Sequence, residues 1–321
     1  MNSSKYNIKK TNFFLAILLP VFFTYSYLLI SGYIEGDQYY YRIFYDELAN
    51  TKAFDVISVG LIKVASVEPI SLYVLWLGAQ LGIDKDIYIS FLNVLLLSLI
   101  YIFCRSNRVG LIPMFLLLTN FYVIVLMTGA ERLKIGYIIL LLAAISNGRK
   151  SRILLGASFM AHLQNAILLP SIVLAQNADS IRRLLKAGKF KVKFISAIIG
   201  MAILAAVFFG IFNEAIVKKV ISNISHEARD PQLTNLILLT VVGFLATRNR
   251  WRMIVALLPL YPAVLILGGQ RINMIAVTLA IYFLIKEKQL SHPFVLLLLF
   301  YFSVKSIPFI VNIAKYGSGF G

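Results

Sequence analysis

Apolar runs close to the roughly 20 residues that a bilayer-spanning helix needs recur from Phe13 to Val311, and short clusters of Lys and Arg separate them. That alternation leaves few folds open. In hydrocarbon every backbone polar group must be satisfied within the chain, so only helices and closed barrels span it. These runs are longer than a barrel strand and lack its in-out alternation, which points to an all-α integral membrane protein. A composition of 60% hydrophobic residues and a mean hydropathy of +0.82 agree. The net charge of +17 would suggest nucleic acid in a soluble protein. Between apolar runs it reads instead as inner loops facing anionic lipid, and nucleic acid is set aside as a partner. The single cysteine, Cys104, excludes an internal disulfide, and no Cys/His cluster suggests zinc.

The first run, Phe13–Ile30, follows Lys5, Lys9 and Lys10. It is longer than a signal-peptide core and no small-x-small cleavage site follows it, so it reads as a retained span with its N-terminus inside. Crossings are expected at about 12–32, 87–104, 109–128, 131–146, 194–212, 233–247, 253–268, 272–285 and 293–312. That is about nine transmembrane helices in one polytopic domain over 1–321. Residues 33–85 form an outer-side loop with two interfacial helices, Val56–Val67 and Pro69–Leu81, interrupted by Lys63 and Glu68-Pro69. Pro259 and Pro262 predict a kink in the seventh span. A simple crossing at 153–175 would put the basic run from Arg182 to Lys193 outside. The positive-inside rule therefore favours a re-entrant pair of short helices there, which is tolerated only against protein or a wet cavity. All 14 acids except Asp179 and Glu287 then fall outside or at the outer membrane edge, so chemistry is expected on the outer face.

The stretch Gly129–Pro170 carries the least expected residues. Glu131, Arg132 and Lys134 abut an apolar run, and His162, Gln164 and Asn165 interrupt another, with His162 ~15 Å past Arg152 at helical rise. Charge and imidazole at such depth cost several kcal/mol unless they face protein or water. A substrate cavity and helix-packing glue both satisfy that demand. Arg132 and Arg271 occupy matching places, each opening a helix that runs from outside to inside. A guanidinium beside unpaired helix N–H groups forms an anion site, and its planar fork suits phosphate oxygens. Anchoring of a helix end at the interface is the alternative.

Glu35, Asp37 and the run Tyr39-Tyr40-Tyr41-Arg42 open the outer loop. A carboxylate there can act as general base towards a sugar hydroxyl, and tyrosine faces stack on sugars. An aromatic belt at the end of span one explains the same residues. Asp84-Lys85-Asp86 spells D-x-D, a metal-holding motif in some glycosyltransferases, but it stands where an N-cap and first-turn acid of span two belong. His226 and His292 read as solvated. G-x-S-x-G, P-loop and HExxH motifs do not occur, which leaves hydrolase, nucleotide-driven pump and zincin readings without support.

Taken in order, several of these features resemble the EpsG-like and Wzy-type O-antigen and exopolysaccharide polymerases. They are Gly36-Asp37 through Tyr41, Glu68-Pro69 before an aromatic-rich helix, and Arg132 opening a span. A basic turn, Ala161-His162 and Leu169-Pro170 follow, and Arg271 opens a late span. The resemblance is strongest over 33–175. Leu133 after Arg132, and Leu163-Gln164-Asn165-Ala166 after His162, depart from the family pattern.

The resemblance implies a GT-C-like polytopic fold in the bacterial cytoplasmic (inner) membrane. It also implies polymerisation of undecaprenyl-diphosphate-linked oligosaccharide repeats on the outer side, without a nucleotide sugar. In that chemistry an acceptor hydroxyl attacks the anomeric carbon of the growing chain. Asp37 leads as base, with Glu131 and His162 as rivals. Arg132 and Arg271 would hold the departing diphosphate, and Tyr40, Tyr41 and Arg42 the sugar. Arginines suffice for the leaving group, so no metal or other cofactor is expected. Partners are the lipid-linked oligosaccharide, membrane lipid and a chain-length regulator. A lipid-linked oligosaccharide flippase or exporter would need polar residues continuing to the inner face, and an envelope sugar acyltransferase a histidine near an inner acyl donor.

Overall fold

The computed structural model describes residues 8–187, 230–267 and 269–320. Among them the regular elements are all helical. The expected fifth span and the outer loop around His226, Glu227 and Arg229 lie outside the described residues. The chain divides into two compact units, residues 1–165 with 299–321, and residues 166–298.

In the first unit α1 (Ile8–Gly32) leads through Gly36 into α2 (Asp37–Leu48). Two short helices follow, α3 (Val56–Val64) and α4 (Pro69–Gln80), bent by 102° across the break that holds Glu68. The break has two causes. Ala65 takes a left-handed turn at φ 46, and Pro69 has no N–H and sits at the first position of the next helix, where none is needed. The long helix α5 (Lys85–Ser106) begins at Asp84, whose Oδ1 accepts from the N–H groups of Asp86 (2.9 Å) and Ile87 (3.1 Å). Phe44, Leu48, Leu72, Leu75 and Ile89 fill the core between α2, α4 and α5. Side chains of α4 lock onto the end of α2: Trp76 Nε1 donates to Thr51 O at 2.8 Å and Gln80 Nε2 to Leu48 O at 2.8 Å.

The expected third span, 109–128, is instead two helices, α6 (Leu111–Leu118) and α7 (Phe121–Thr128), bent by 43°. Asn120 makes the break, because its side chain caps α7 by accepting from Tyr122 N at 2.9 Å. The fourth expected span is α8 (Glu131–Ile145). Its 15 residues rise about 22 Å, short of the roughly 30 Å hydrocarbon core. Next, α9 (Gly148–Ala161) stops at His162, whose backbone is extended, and α10 (Leu168–Gln176) follows a short 3-10 turn. Two short helices with a break at His162 thus occupy the stretch where a re-entrant pair is expected over 153–175. The last helix, Pro293–Tyr316, returns to this unit from Leu299 onward. There Phe309 packs edge-on to Tyr33 and Phe121, and Ser303 bonds Thr119 at 3.1 Å.

In the second unit Asp230–Ala246, Arg250–Leu257, Leu260–Leu267 and Gly269–Lys286 pack with α10 and α11 (Ala178–Ala187). Trp251 Nε1 donates to Ala178 O at 3.0 Å, and Glu287 Oε2 accepts from Arg248 N at 2.9 Å. The expected seventh span breaks at Leu258-Pro259, where its prolines predict a kink.

Nine crossings are not what the described residues show. Three helices, Phe13–Gly32, Lys85–Ser106 and Pro293–Tyr316, are long and apolar enough to cross a membrane, or up to five spans if each bent pair counts as one. Helices stand at the expected span positions that fall among the described residues, but several are too short, too charged or too bent to span alone. The all-helical chain is compatible with a helical membrane protein.

Candidate functional site

The first two residues of α8 point their charges in different directions, and each builds a cluster. Arg132 reaches α2 and α4. Its Nε donates to Tyr41 Oη at 2.8 Å and its Nη1 to Glu68 Oε2 at 2.8 Å. The other oxygen of Glu68 lies 2.7 Å from His162 Nδ1 and accepts from Leu163 N at 3.0 Å. Ser66 Oγ, 3.0 Å from Oε2, completes the set. One carboxylate thus accepts from a guanidinium and from the first N–H after the α9 break, and lies at ion-pair distance from an imidazole nitrogen that has no other partner. Ser71, one turn along α4, donates to the carbonyls of Ala161 and Arg132, which ties α9 and α8 to the same helix. The Ala161 carbonyl is one of the acceptors that a helix end leaves without an internal partner.

Glu68 and His162 are buried, while the Arg132 side chain keeps 14% of its surface. Burial alone would raise the Glu68 carboxyl. The His162 ring, the Arg132 guanidinium and the Leu163 N–H more than offset this and bring it down to about 2. The far nitrogen of His162, Nε2, lies 3.1 Å from Gln164 Oε1. A charged ring donates to that oxygen, whereas a neutral ring with its proton on Nδ1 would need the amide turned to present N–H. The site lies against close-packed backbone: a Cβ on Gly136 of α8 would stand 2.6 Å from Asn165 Nδ2 and 3.1 Å from His162 Cβ.

Glu131 turns the other way and is fully buried. Its Oε2 accepts from Lys134 Nζ at 2.9 Å, and its Oε1 from Gln38 Nε2 at 2.7 Å with Lys85 Nζ at 3.8 Å. Gln38 bridges further, donating to Thr128 O and accepting from Lys85 Nζ. A carboxylate between two ammonium groups in the interior serves as their counter-ion. This arrangement joins α2, α5, α7 and α8.

The sequence-derived residues therefore separate. Arg132, His162 and Tyr41 come together. Glu131 lies in the neighbouring buried cluster. Asp37 is exposed at the first position of α2, one turn before Tyr41, and Tyr40 is exposed and packs edge-on to Tyr39. Arg42 is spent on structure, with Nη2 2.9 Å from Ile30 O and Nη1 2.8 Å from Asp86 Oδ1. Asp84 and Asp86 are thus occupied by helix capping and by that ion pair. Among the described residues no group of three or more His, Cys, Asp or Glu could hold a metal ion. Arg271 is exposed near the start of Gly269–Lys286 in the second unit, so its pairing with Arg132 stays a proposal.

Sequence reasoning placed Glu68 as a helix interruption and within the family resemblance, and missed its part in the site. A buried acid directly before a proline-started apolar helix was the available signal. Lys85, Gln38 and Lys134 were missed as a unit, because nothing in their spacing says that three helices bring them to one carboxylate. Comparison with protein-family models, curated proteins and solved structures finds no match in any of the three.

Proposed function

We propose that this chain is a membrane glycosyltransferase, a polymerase of lipid-linked oligosaccharide repeats of the EpsG-like and Wzy-type kind. The observation that carries the reading is one buried carboxylate, Glu68, holding both a partly exposed guanidinium and an imidazole. An imidazole oriented through one nitrogen by a carboxylate has its other nitrogen available for proton transfer. A guanidinium beside it, at the positive end of a helix, suits a departing diphosphate. Arg132 bonds Tyr41 and Glu68 through Nε and Nη1, and among the described residues Nη2 has no protein partner.

In the proposed step the acceptor oxygen bonds to the anomeric carbon while its proton passes to the neutral His162 Nε2, Gln164 turning aside. The bond from the anomeric carbon to the phosphate oxygen breaks, and undecaprenyl diphosphate leaves with the electron pair, its charge met by Arg132. Glu68 stabilises the imidazolium that forms. In this reading Asp37 and Tyr40 sit on the acceptor side, Arg271 is a second diphosphate ligand, and the site faces the outside of the bacterial cytoplasmic membrane. Glu131 passes from rival base to structural counter-ion.

The test is reconstitution. Purified protein in vesicles, given undecaprenyl-diphosphate-linked repeats, should give a ladder of polymer and release undecaprenyl diphosphate. Repeats that stay single, with the lipid diphosphate intact, would sink the reading.

A further inference from the structure

The last helix, Pro293–Tyr316, is long and apolar enough to cross a membrane, yet it carries a lysine at its centre. At helical rise Lys305 stands about 18 Å from Pro293 and about 17 Å from Tyr316. Its four-carbon stem is too short to bring the ammonium to either end. Nζ lies 4.9 Å from the centroid of the Phe121 ring at the start of α7, and among the described residues it has no hydrogen bond and no carboxylate. A cation–π contact offsets only part of the cost of a charge at that depth. The serines beside it in sequence are already used: Ser303 Oγ lies 3.0 Å from the carbonyls of Leu116 and Leu299, and Ser306 Oγ donates to Ser303 O at 2.6 Å. The helix ladder itself lacks a bond here, because Pro308 has no N–H to donate to the Val304 carbonyl.

We infer that this face binds a membrane helix of another protein that carries an Asp or Glu at matching depth. The inference needs the last helix to cross a membrane and is independent of the proposed chemistry. Charge complementarity selects the occupant, since ionisable groups within a membrane pair with one another or line a wet cavity. Tyr301, Val304, Ile307 and Val311 are exposed around the lysine, at the three- and four-residue spacing of one helix face. A partner helix along them covers apolar surface on both sides of the ion pair. A small anion fits less well, because the neighbouring hydroxyls are spent and one ammonium is not a set of donors. A second copy of this chain does not match either. In the three helices long enough to span, the sole acid is Asp86, which lies in the first turn of α5 and already pairs with Arg42.

The test uses the full chain, labelled at its N-terminus, in phosphatidylcholine vesicles. Synthetic transmembrane peptides of Leu and Ala, with Glu or Leu at the central position, carry the acceptor dye. Energy transfer should show the Glu peptide binding about tenfold more tightly than the Leu peptide, the scale of one interhelical polar contact. Lys305→Met should remove that preference and Lys305→Arg should keep it. Without peptide, the unfolding midpoint of Lys305→Met should not fall below wild type, since no partner within the chain is lost. A fall of several degrees would reveal an internal partner and overturn the inference. Equal binding of the two peptides by wild type would overturn it too, as would a preference that persists in Lys305→Met. Loss of the preference on adding phosphatidylglycerol would give the lysine to an anionic lipid head instead. Energy transfer between two labelled copies that Lys305→Met abolishes would assign the face to a second copy, again against the inference.

Discussion

Glu68 Oε2 and Arg132 Nη1 lie 2.8 Å apart across 64 residues of sequence, joining the break between α3 and α4 to the first turn of α8. A cation at a helix N-terminus is opposed by the helix dipole, and Glu68 supplies the opposing charge that holds Arg132 there. The same carboxylate fixes His162, so one side chain sets the positions of two.

Glu68→Gln keeps the shape and removes the charge. It should destabilise the chain by about 3 kcal/mol, the cost of leaving one member of a buried pair without its partner. Thermal unfolding in detergent measures this. A midpoint equal to wild type would show that Glu68 does not hold Arg132 and His162.

The pH dependence of that difference has a definite sign. Glu68 falls from an ordinary 4.5 to about 2 in the folded protein. A lowered folded value gives stability that is fully present above 4.5 and is lost as pH falls through about 2. The gap in unfolding midpoint between wild type and Glu68→Gln should not narrow from pH 7 to 5, and should shrink as pH is lowered beyond 4. A gap that closes already between pH 7 and 5 would contradict the pairing.

Glu131→Gln separates counter-ion from catalyst. With Lys85 and Lys134 left facing each other in the interior, the variant should lose on the order of 3–5 kcal/mol of stability, and adding Lys134→Met should recover much of it. A variant with wild-type stability but no polymer would return Glu131 to the role of base.

Gly136→Ala presses a methyl group onto His162 and Asn165. Overpacking of this kind costs about 1–3 kcal/mol, and here the strain falls on the imidazole. Turnover should drop while the unfolding midpoint moves by a few degrees at most. Unchanged turnover would show that His162 can shift without consequence.

Helix positions were legible in the sequence because apolar runs and their punctuation act locally. Asp84 capping α5, Pro69 opening α4 and Pro259 breaking its span all follow from chemistry within a few residues. Crossing number was less legible. Asn120 turns one apolar run into two helices by capping the second, and composition alone cannot distinguish that from a straight span. Within the site, Arg132 and His162 stood out as polar groups in apolar surroundings. Their shared partner did not, since Glu68 meets them through α4, α8 and α9 coming together. Adjacent Glu131 and Arg132 looked like one feature, but they face different helices and do different work.

In the proposed mechanism His162 and Arg132 act on one lipid diphosphate, with Glu68 holding both. The most direct measurement is the release of undecaprenyl diphosphate from a lipid-linked repeat by purified wild type, His162→Gln, Arg132→Ala and Asp37→Asn. Release should fall by at least about a hundredfold in His162→Gln and Arg132→Ala, the scale of a lost acid–base or charge-stabilising group, with Asp37→Asn retaining most of it. Full release by His162→Gln and none by Asp37→Asn would move the chemistry out of this cluster and contradict the mechanism.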